Sequence, residues 1–358
     1  AVRWLPPAKP HAIASPVSYR AGMRTLVLAL QLLVAVLFAV FRGAVQRLLH
    51  GPAVESWPWS IEMRVVALRG VIMGARAHPD PEARTKLEAK VNPPLPRDLR
   101  QLVNVRRETL AALDAERHVR TGSGSELTDS CTILYLHGGG YVSGSAATHR
   151  RWVARLTWAV AGQAIVPDYR LAPQHRFPAA LDDAAAAYAK LIADVDPATV
   201  VLAGDSAGGG LAAALLLRLR DEGAPLPAGA ILVSPYTDLE HTGSSIFRNV
   251  ATDYLPIGEV RPNWEYLGDH DPRDPLASPM YGDFTGIPPL LIFAGGKEMI
   301  LDDSVRLADA AERDGAEVSL EVSPDMFHVW PALIPHHPAT GVLLAQSTEF
   351  VNRVVART

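Results

Sequence analysis

A single cysteine, Cys131, stands among the 358 residues, so no disulfide framework and no cysteine-ligated zinc site can be built. It opens an apolar run and reads as a small packing residue at a strand start, not a second nucleophile. The twelve histidines contain no His-x-x-x-His or His-Glu-x-x-His spacing, and the adjacent His336 and His337 cannot share a helix face. No metal site is expected. The net charge is only −4, which gives no electrostatic reason to expect a nucleic-acid partner. Charged residues make up 20% and hydrophobic residues 48%, a globular composition and not a disordered one. No internal repeat is visible, and the length suits one large domain with additions or two domains.

What the chain does have is organised around Ser206. An apolar, β-branched run, Thr199 to Ala203, has the length of a buried strand. The chain then turns through Gly204-Asp205-Ser206-Ala207-Gly208 and continues, Leu211 to Leu219, in strong helix formers. Gly204-x-Ser206-x-Gly208 between a strand and a helix is a nucleophile-elbow pattern. A sharp turn there lifts the serine hydroxyl above the sheet edge, and flanking glycines let strand and helix cross closely. The helix N-terminus offers free N–H groups and partial positive charge beside the serine. Alone, the five-residue pattern fits any Gly-rich turn in an α/β domain equally well.

Short strands are expected at Thr132–Leu136, Ala164–Asp168, Thr199–Ala203, Ala230–Ser234, Leu290–Ala294 and Val318–Val322. They alternate with helices at about 147–161, 179–194, 207–221, 302–314 and 341–356. This alternation predicts an α/β fold, a mostly parallel central sheet with helices on both faces and its site at the strand C-terminal edge. Val103–Leu110 and Ala112–Val119 read as two antiparallel strands leading in, and Thr121–Ser125 as a turn. Further upstream, Ile61–Met73 looks helical, and Pro79-Asp80-Pro81 starts a short helix that ends at Asn92–Pro96. His241 to Met280 breaks the rhythm; so long a polar, Pro- and Asp-rich excursion suits a lid or cap.

Thr25 to Phe41 is apolar except for Gln31, with Arg20 and Arg24 before it and Arg42 and Arg47 after. As a helix these residues span roughly 26 Å, just under the about 30 Å of a bilayer's hydrocarbon. Two readings stay open: a membrane anchor or membrane-associating helix, and a helix packed on the body or lining a substrate entrance. A cleaved signal peptide fits less well, since no small-x-small site follows. The expected location is accordingly cytoplasmic, with membrane association through Thr25–Phe41 if the first reading holds.

Chemistry gathers at the strand ends. His137-Gly138-Gly139-Gly140-Tyr141 follows the strand Thr132–Leu136, and a glycine run ahead of Gly-x-Ser-x-Gly supplies backbone N–H groups for an oxyanion. His328, in Met326-Phe327-His328-Val329-Trp330, lies on the loop after the last strand, where a neutral imidazole can take the serine proton. Glu298, Asp302 and Asp303 follow the strand Leu290–Ala294 and offer an acid to orient it.

The segments His137-Gly-Gly-Gly-Tyr141, Asp168-Tyr-Arg-Leu-Ala-Pro173, Phe177-Pro-Ala-Ala180 and Gly204-Asp-Ser-Ala-Gly-Gly209 occur in this order. Together they resemble the hormone-sensitive-lipase-like family of α/β-hydrolases, whose bacterial members are carboxylesterases. The resemblance covers about 103–358. It implies an α/β-hydrolase fold with a helical cap: residues 1–100 giving the N-terminal apolar helix and cap helices, 101–358 the catalytic domain, and 241–280 contributing to the cap. It implies oxyanion donors at Gly139, Gly140 and Ala207, with Ser206 as nucleophile and His328 as base. The family's Asp-Pro-Leu-x-Asp is here Glu298-Met-Ile-Leu-Asp302. Aligning its second acid on Asp302 puts Glu298 at the triad position, with Asp302 and Asp303 at the start of the next helix, where an Asp suits the N-cap. His137 then organises its loop, and Asp168 and Arg170 are structural ion-pair partners.

The implied function is a serine carboxylesterase acting on short- to medium-chain esters through an acyl-enzyme, with a small-molecule ester as its partner and no cofactor. Two alternatives stay open. One is an amidase or deacetylase, since arylacetamide deacetylase resembles this family and carries an N-terminal anchor. The other is a non-catalytic small-molecule receptor, as plant gibberellin receptors resemble it without a working triad; the histidine here argues against that.

Overall fold

A computed structural model describes residues 16–77, 94–121, 131–255 and 264–356. The expected helix at Pro79–Pro81 and most of the Thr121–Ser125 turn lie outside the described residues.

In chain order the elements are α1 (Pro16–His50), α2 (Trp59–Ala77), α3 (Arg97–Leu102), β1 (Val103–Leu110), β2 (Leu113–Arg120), β3 (Thr132–Leu136), α4 (Ala146–Ala159), β4 (Gln163–Pro167) and α5 (Ala179–Ile192). There follow β5 (Val200–Asp205), α6 (Ala207–Asp221), β6 (Gly229–Val233), α7 (Ser245–Arg248), α8 (Trp264–Leu267), β7 (Leu290–Gly295), α9 (Leu301–Arg313), β8 (Val318–Ser323), α10 (Trp330–Leu333) and α11 (Pro338–Val355).

The strands form one sheet in the order β1-β2-β4-β3-β5-β6-β7-β8. β2 pairs antiparallel with β1 and β4; from β4 to β8 every neighbour is parallel. β3, β5, β6 and β7 are buried throughout, as expected of parallel strands covered on both faces. Alternate residues feed two cores. Leu134, Leu202, Leu232 and Ile292 pack under α5, α6 and α9, with Tyr188, Leu215 and Leu307. Ile133, Val201, Ile231 and Leu291 face the other way, onto Trp152 of α4, Phe350 of α11 and Val65 of α2. The period-two alternation of each strand is what divides the molecule into these layers.

α1 and α2 form an antiparallel hairpin held by small residues. A Cβ at Gly70 would stand 3.1 Å from Ala39 and from the Val36 backbone, and one at Gly43 3.0 Å from Val66, so the helices approach closely. Leu28 and Leu32 are buried, Leu32 against Gly74 of α2, whereas Leu37, Phe38 and Phe41 are 60%, 65% and 69% exposed. α2 in turn is fastened to the body. The Trp57 indole donates to Asp325 O at 2.6 Å, Arg64 donates to Leu333 O, and Arg69 donates to the carbonyls of Val250 and Asp253. The hairpin therefore grips the loop that carries His328 and the excursion after β6.

Two structural expectations are corrected. Asp168 joins no ion pair with Arg170: its Oδ1 accepts from Ala146 N–H at 2.6 Å at the start of α4, while Arg170 pairs with Asp183. Asp302 does not cap α9, because that helix begins one residue earlier, at Leu301, with Ile300 at the N-cap. Its Oδ2 is recruited instead by Ser244 Oγ (2.8 Å) and Ser245 N–H (3.0 Å), and its Oδ1 by Arg248 (3.0 Å), all around α7.

Candidate active site

Ser206 joins β5 to α6 at φ 52° and ψ −123°, a left-handed conformation that L-residues rarely adopt and that a surrounding structure must enforce. Hydrogen bonds hold it on both sides. Its N–H donates to Val233 O at 2.9 Å, and its carbonyl accepts from Tyr236 N–H (2.9 Å) and Gly210 N–H (3.0 Å). The glycines are sterically required. A Cβ at Gly208 would lie 2.0 Å from Leu136 O, and one at Gly204 2.3 Å from Gly208 O. The serine side chain makes no capping bond to α6, so its hydroxyl stays available at the strand end.

The glycine loop sits beside this elbow, at the end of the neighbouring strand β3. Gly139 and Gly140 have φ of 128° and 63°, and a Cβ at Gly139 would meet Ser143 O at 2.1 Å. Asp205 ties loop to elbow: its Oδ1 accepts from Gly138 N–H at 3.1 Å and Tyr135 OH at 2.6 Å, with His149 Nε2 3.4 Å from Oδ2. Burial opposes ionisation of Asp205, but His149 and the Tyr135 hydroxyl outweigh it and hold the carboxyl below its usual range. Ala207 opens α6, and the first N–H groups of a helix have no partner within it.

His137 is buried and stacked on Tyr169 at 4.2 Å, with Nδ1–H donating to Gly138 O at 2.9 Å. Burial pushes its pKa down to about 3, so the ring is neutral and serves to shape the loop. Tyr141, at the loop's end, stacks on Tyr266 of α8 at 3.9 Å, joining the loop to the excursion. Burial drives the Cys131 thiol up to about 12, which makes it unreactive.

His328 stands beyond β8, and its Nδ1 lies 3.2 Å from Glu298 Oε2, both side chains being buried. Burial disfavours a charged imidazole, yet the Glu298 hydrogen bond and the charges of Glu298, Asp253 and Asp205 raise His328 above its ordinary 6.5. The next residue, Val329, is left-handed at φ 47°, and its N–H donates to Ser234 Oγ at 3.1 Å at the end of β6. That bond fixes the histidine loop against the strand next to β5.

Of the three carboxylates after β7, Glu298 alone reaches His328. Asp302 turns to α7, and Asp303 accepts from the backbone N–H groups of Thr237 and Asp238 at 2.8 and 2.9 Å. Sequence reasoning missed the residues of the excursion that reach this pair. Asn249 donates to Glu298 O at 2.8 Å, Thr252 to Lys297 O at 3.0 Å, and the Asp253 carboxylate accepts from His328 N–H at 3.3 Å. Among the described residues no group of three or more His, Cys, Asp and Glu could hold a metal ion.

A strained serine at a strand–helix elbow, a glycine loop with no side chain over its backbone and a histidine on a buried carboxylate form the parts list of acyl transfer. A family model described as the α/β-hydrolase fold matches residues 133–332. An acetyl-hydrolase of Streptomyces hygroscopicus is 47% identical over 205 residues, which cover 56% of this chain and 69% of that protein. The chain belongs to the α/β-hydrolase fold family. Within that family it is of the hormone-sensitive-lipase type. A crystal structure of an esterase from the bacterial hormone-sensitive lipase family superposes with a TM-score of 0.71 at 37% identity, covering 82% of this chain and 98% of that one. EstE5 soaked with p-nitrophenyl butyrate gives a TM-score of 0.73 at 37% identity, covering 82% and 99%. The candidate residues follow the carboxyl ends of β3, β5, β7 and β8.

Proposed function

We propose that this α/β-hydrolase splits esters through an acyl-enzyme on Ser206. The chain is a carboxylic ester hydrolase, like the acetyl-hydrolase and esterases it resembles. The observation that carries the mechanism is the Glu298–His328 contact on the loops beside the Ser206 elbow. Ser206 Oγ attacks the ester carbonyl while His328 Nε2 takes its proton; His328 then returns that proton to the departing alcohol. Glu298 accepts from Nδ1–H and stabilises the imidazolium formed in the step. The N–H groups of Gly139, Gly140 and Ala207 receive the developing oxyanion. Water deprotonated by the same imidazole attacks the acyl-enzyme; the Ser206 Oγ–acyl bond breaks, the acid leaves and the imidazolium returns the proton to Ser206 Oγ.

Small esters with short to medium acyl chains are the proposed substrates, in line with the butyrate ester soaked into a structural relative. The excursion 241–280 and the N-terminal hairpin serve as the cap, since both bind the loops carrying Glu298 and His328. Turnover of p-nitrophenyl esters of rising chain length, set against the matching anilides, tests this reading. Ester cleavage peaking at short to medium acyl length supports it, and anilides cleaved as fast as esters would make the chain an amidase.

The outer face of α1 is proposed to rest on a lipid surface. Val27–His50 is long and apolar enough to cross a bilayer and is little buried. Two observations favour lying flat over spanning. α2 covers one side of α1 and is itself bonded to the body, which leaves only the outer face for lipid. Pro16–His50 also carries no acidic residue and four arginines, of which Arg47 is taken up by Glu62 of α2; the remaining basic excess suits an anionic leaflet.

A further inference from the structure

Asp253 lies in the excursion between α7 and α8, and no motif marks it. Its side chain is fully buried. Oδ1 accepts from Tyr254 N–H at 2.8 Å and from His328 N–H at 3.3 Å, and Oδ2 accepts from Met299 N–H at 2.7 Å. Met299 directly follows Glu298. One carboxylate therefore holds the main chain of both loops whose side chains meet as the Glu298–His328 pair.

We propose that Asp253 is a positioning residue for this pair: a carboxylate from the cap that sets the spacing of the two loops and adds negative charge beside the imidazole. The role rests on the esterase reading above and assigns a part to the cap that goes beyond substrate selection. Asp253 is anchored independently of the loops it holds, because Arg69 of α2 donates to its carbonyl. Asn249 and Thr252, just before it, bind the carbonyls of Glu298 and Lys297. Hydrogen bonds from N–H groups to a charged carboxylate are the stronger kind, and they constrain both loops at once.

The charged and titratable groups around the histidine are few. Glu298 reaches it from the β7–α9 loop, Asp253 from the excursion and Asp205 from the end of β5, with the Tyr254 ring 5.8 Å away. Asp253 in turn faces His328 and Glu298, with Arg69 on its main chain. Burial above all, with the Glu298 charge adding to it, pushes the Asp253 carboxyl up to about 6 against the pull of His328 and the N–H donors. It is thus largely ionised at neutral pH and raises the imidazole pKa.

Asp253→Asn keeps the size and removes the charge. The variant is expected to lose about ten- to a hundredfold in kcat with little change in KM, the scale of a small misplacement of reacting groups. Its acid limb in kcat/KM should move to lower pH, and the His328 imidazole, titrated by NMR, should show a lowered pKa. If Asp253→Asn does not fold, Asp253→Ser, which retains a short uncharged acceptor, carries the same readings. An unmoved limb and imidazole pKa would overturn the proposal, whether kcat is kept or falls only with the folded fraction. The NMR titration needs no turnover. A parent that hydrolysed no ester would end the esterase reading, while the imidazole shift would still decide whether Asp253 acts on His328.

Discussion

Asp205 and Gly138 are joined by a 3.1 Å hydrogen bond from the glycine's N–H to the carboxylate. The residue before the proposed nucleophile, Ser206, thus holds the loop proposed to receive the oxyanion, so one carboxylate links the two parts of the candidate site. Asp205→Ala would take the buried acceptor from the Tyr135 hydroxyl and leave the Gly138 N–H only its longer contact to His149 Nε2 at 3.3 Å, at roughly 1–3 kcal/mol for the unpaired hydroxyl. We expect a lowered unfolding midpoint in urea and a reduced kcat. Asp205→Asn, which keeps an acceptor oxygen, should recover most of the stability.

The pH dependence follows from the sign of the His328 shift. An imidazolium cannot accept the serine proton, so activity should fall as pH drops through the His328 pKa, which lies above 6.5. The limb of kcat/KM should therefore appear at or above that value. A rate that stays flat down to about pH 4, far below the ordinary histidine range, would remove His328 from the reaction.

Glu298→Gln and Asp302→Asn separate the two acids. The first removes the charge that faces Nδ1 and should lower kcat by up to roughly ten-thousandfold, the scale for neutralising a triad carboxylate. It should also shift the acid limb to lower pH. Asp302 binds Ser244, Ser245 and Arg248 around α7, so its variant should keep near-parental kcat and change stability by about 1 kcal/mol or less. Steady-state kinetics of the pair showing the reverse order would make Asp302 the acid.

Flotation with vesicles tests the outer face of α1. The parent should float with anionic vesicles more than with neutral ones, and Phe38→Glu with Phe41→Glu should stay at the bottom while hydrolysing a soluble ester normally. Equal flotation of parent and variant would show that lipid does not contact this face.

Legibility differed from element to element, for physical reasons. The strands and long helices from Thr132 onward have ends within a few residues of those read from the chain, whereas the one-turn helices α7, α8 and α10 are too short to carry a periodic pattern and are not read from it. Ser206 and the glycine loop are legible because local backbone geometry demands a run of particular residues there. His328 follows from chain order. Asp253 left no trace, since its partners are main-chain N–H groups up to 75 residues away and impose no side-chain pattern. The expected Asp302 cap failed for a related reason: its distant partners on α7 outcompete a helix end that starts at Ile300. The apolar run of α1 could not reveal which side is covered. Yet Gly70 and Gly74, four apart on α2, were a readable sign of close helix packing.

The most direct test of the central claim is mass spectrometry after treatment with an aryl organophosphonate. The account predicts one adduct per chain, on Ser206, with ester hydrolysis lost in step with labelling and neither event in Ser206→Ala. Adducts on another residue, or a Ser206→Ala variant that hydrolyses esters at the parental rate, would contradict it.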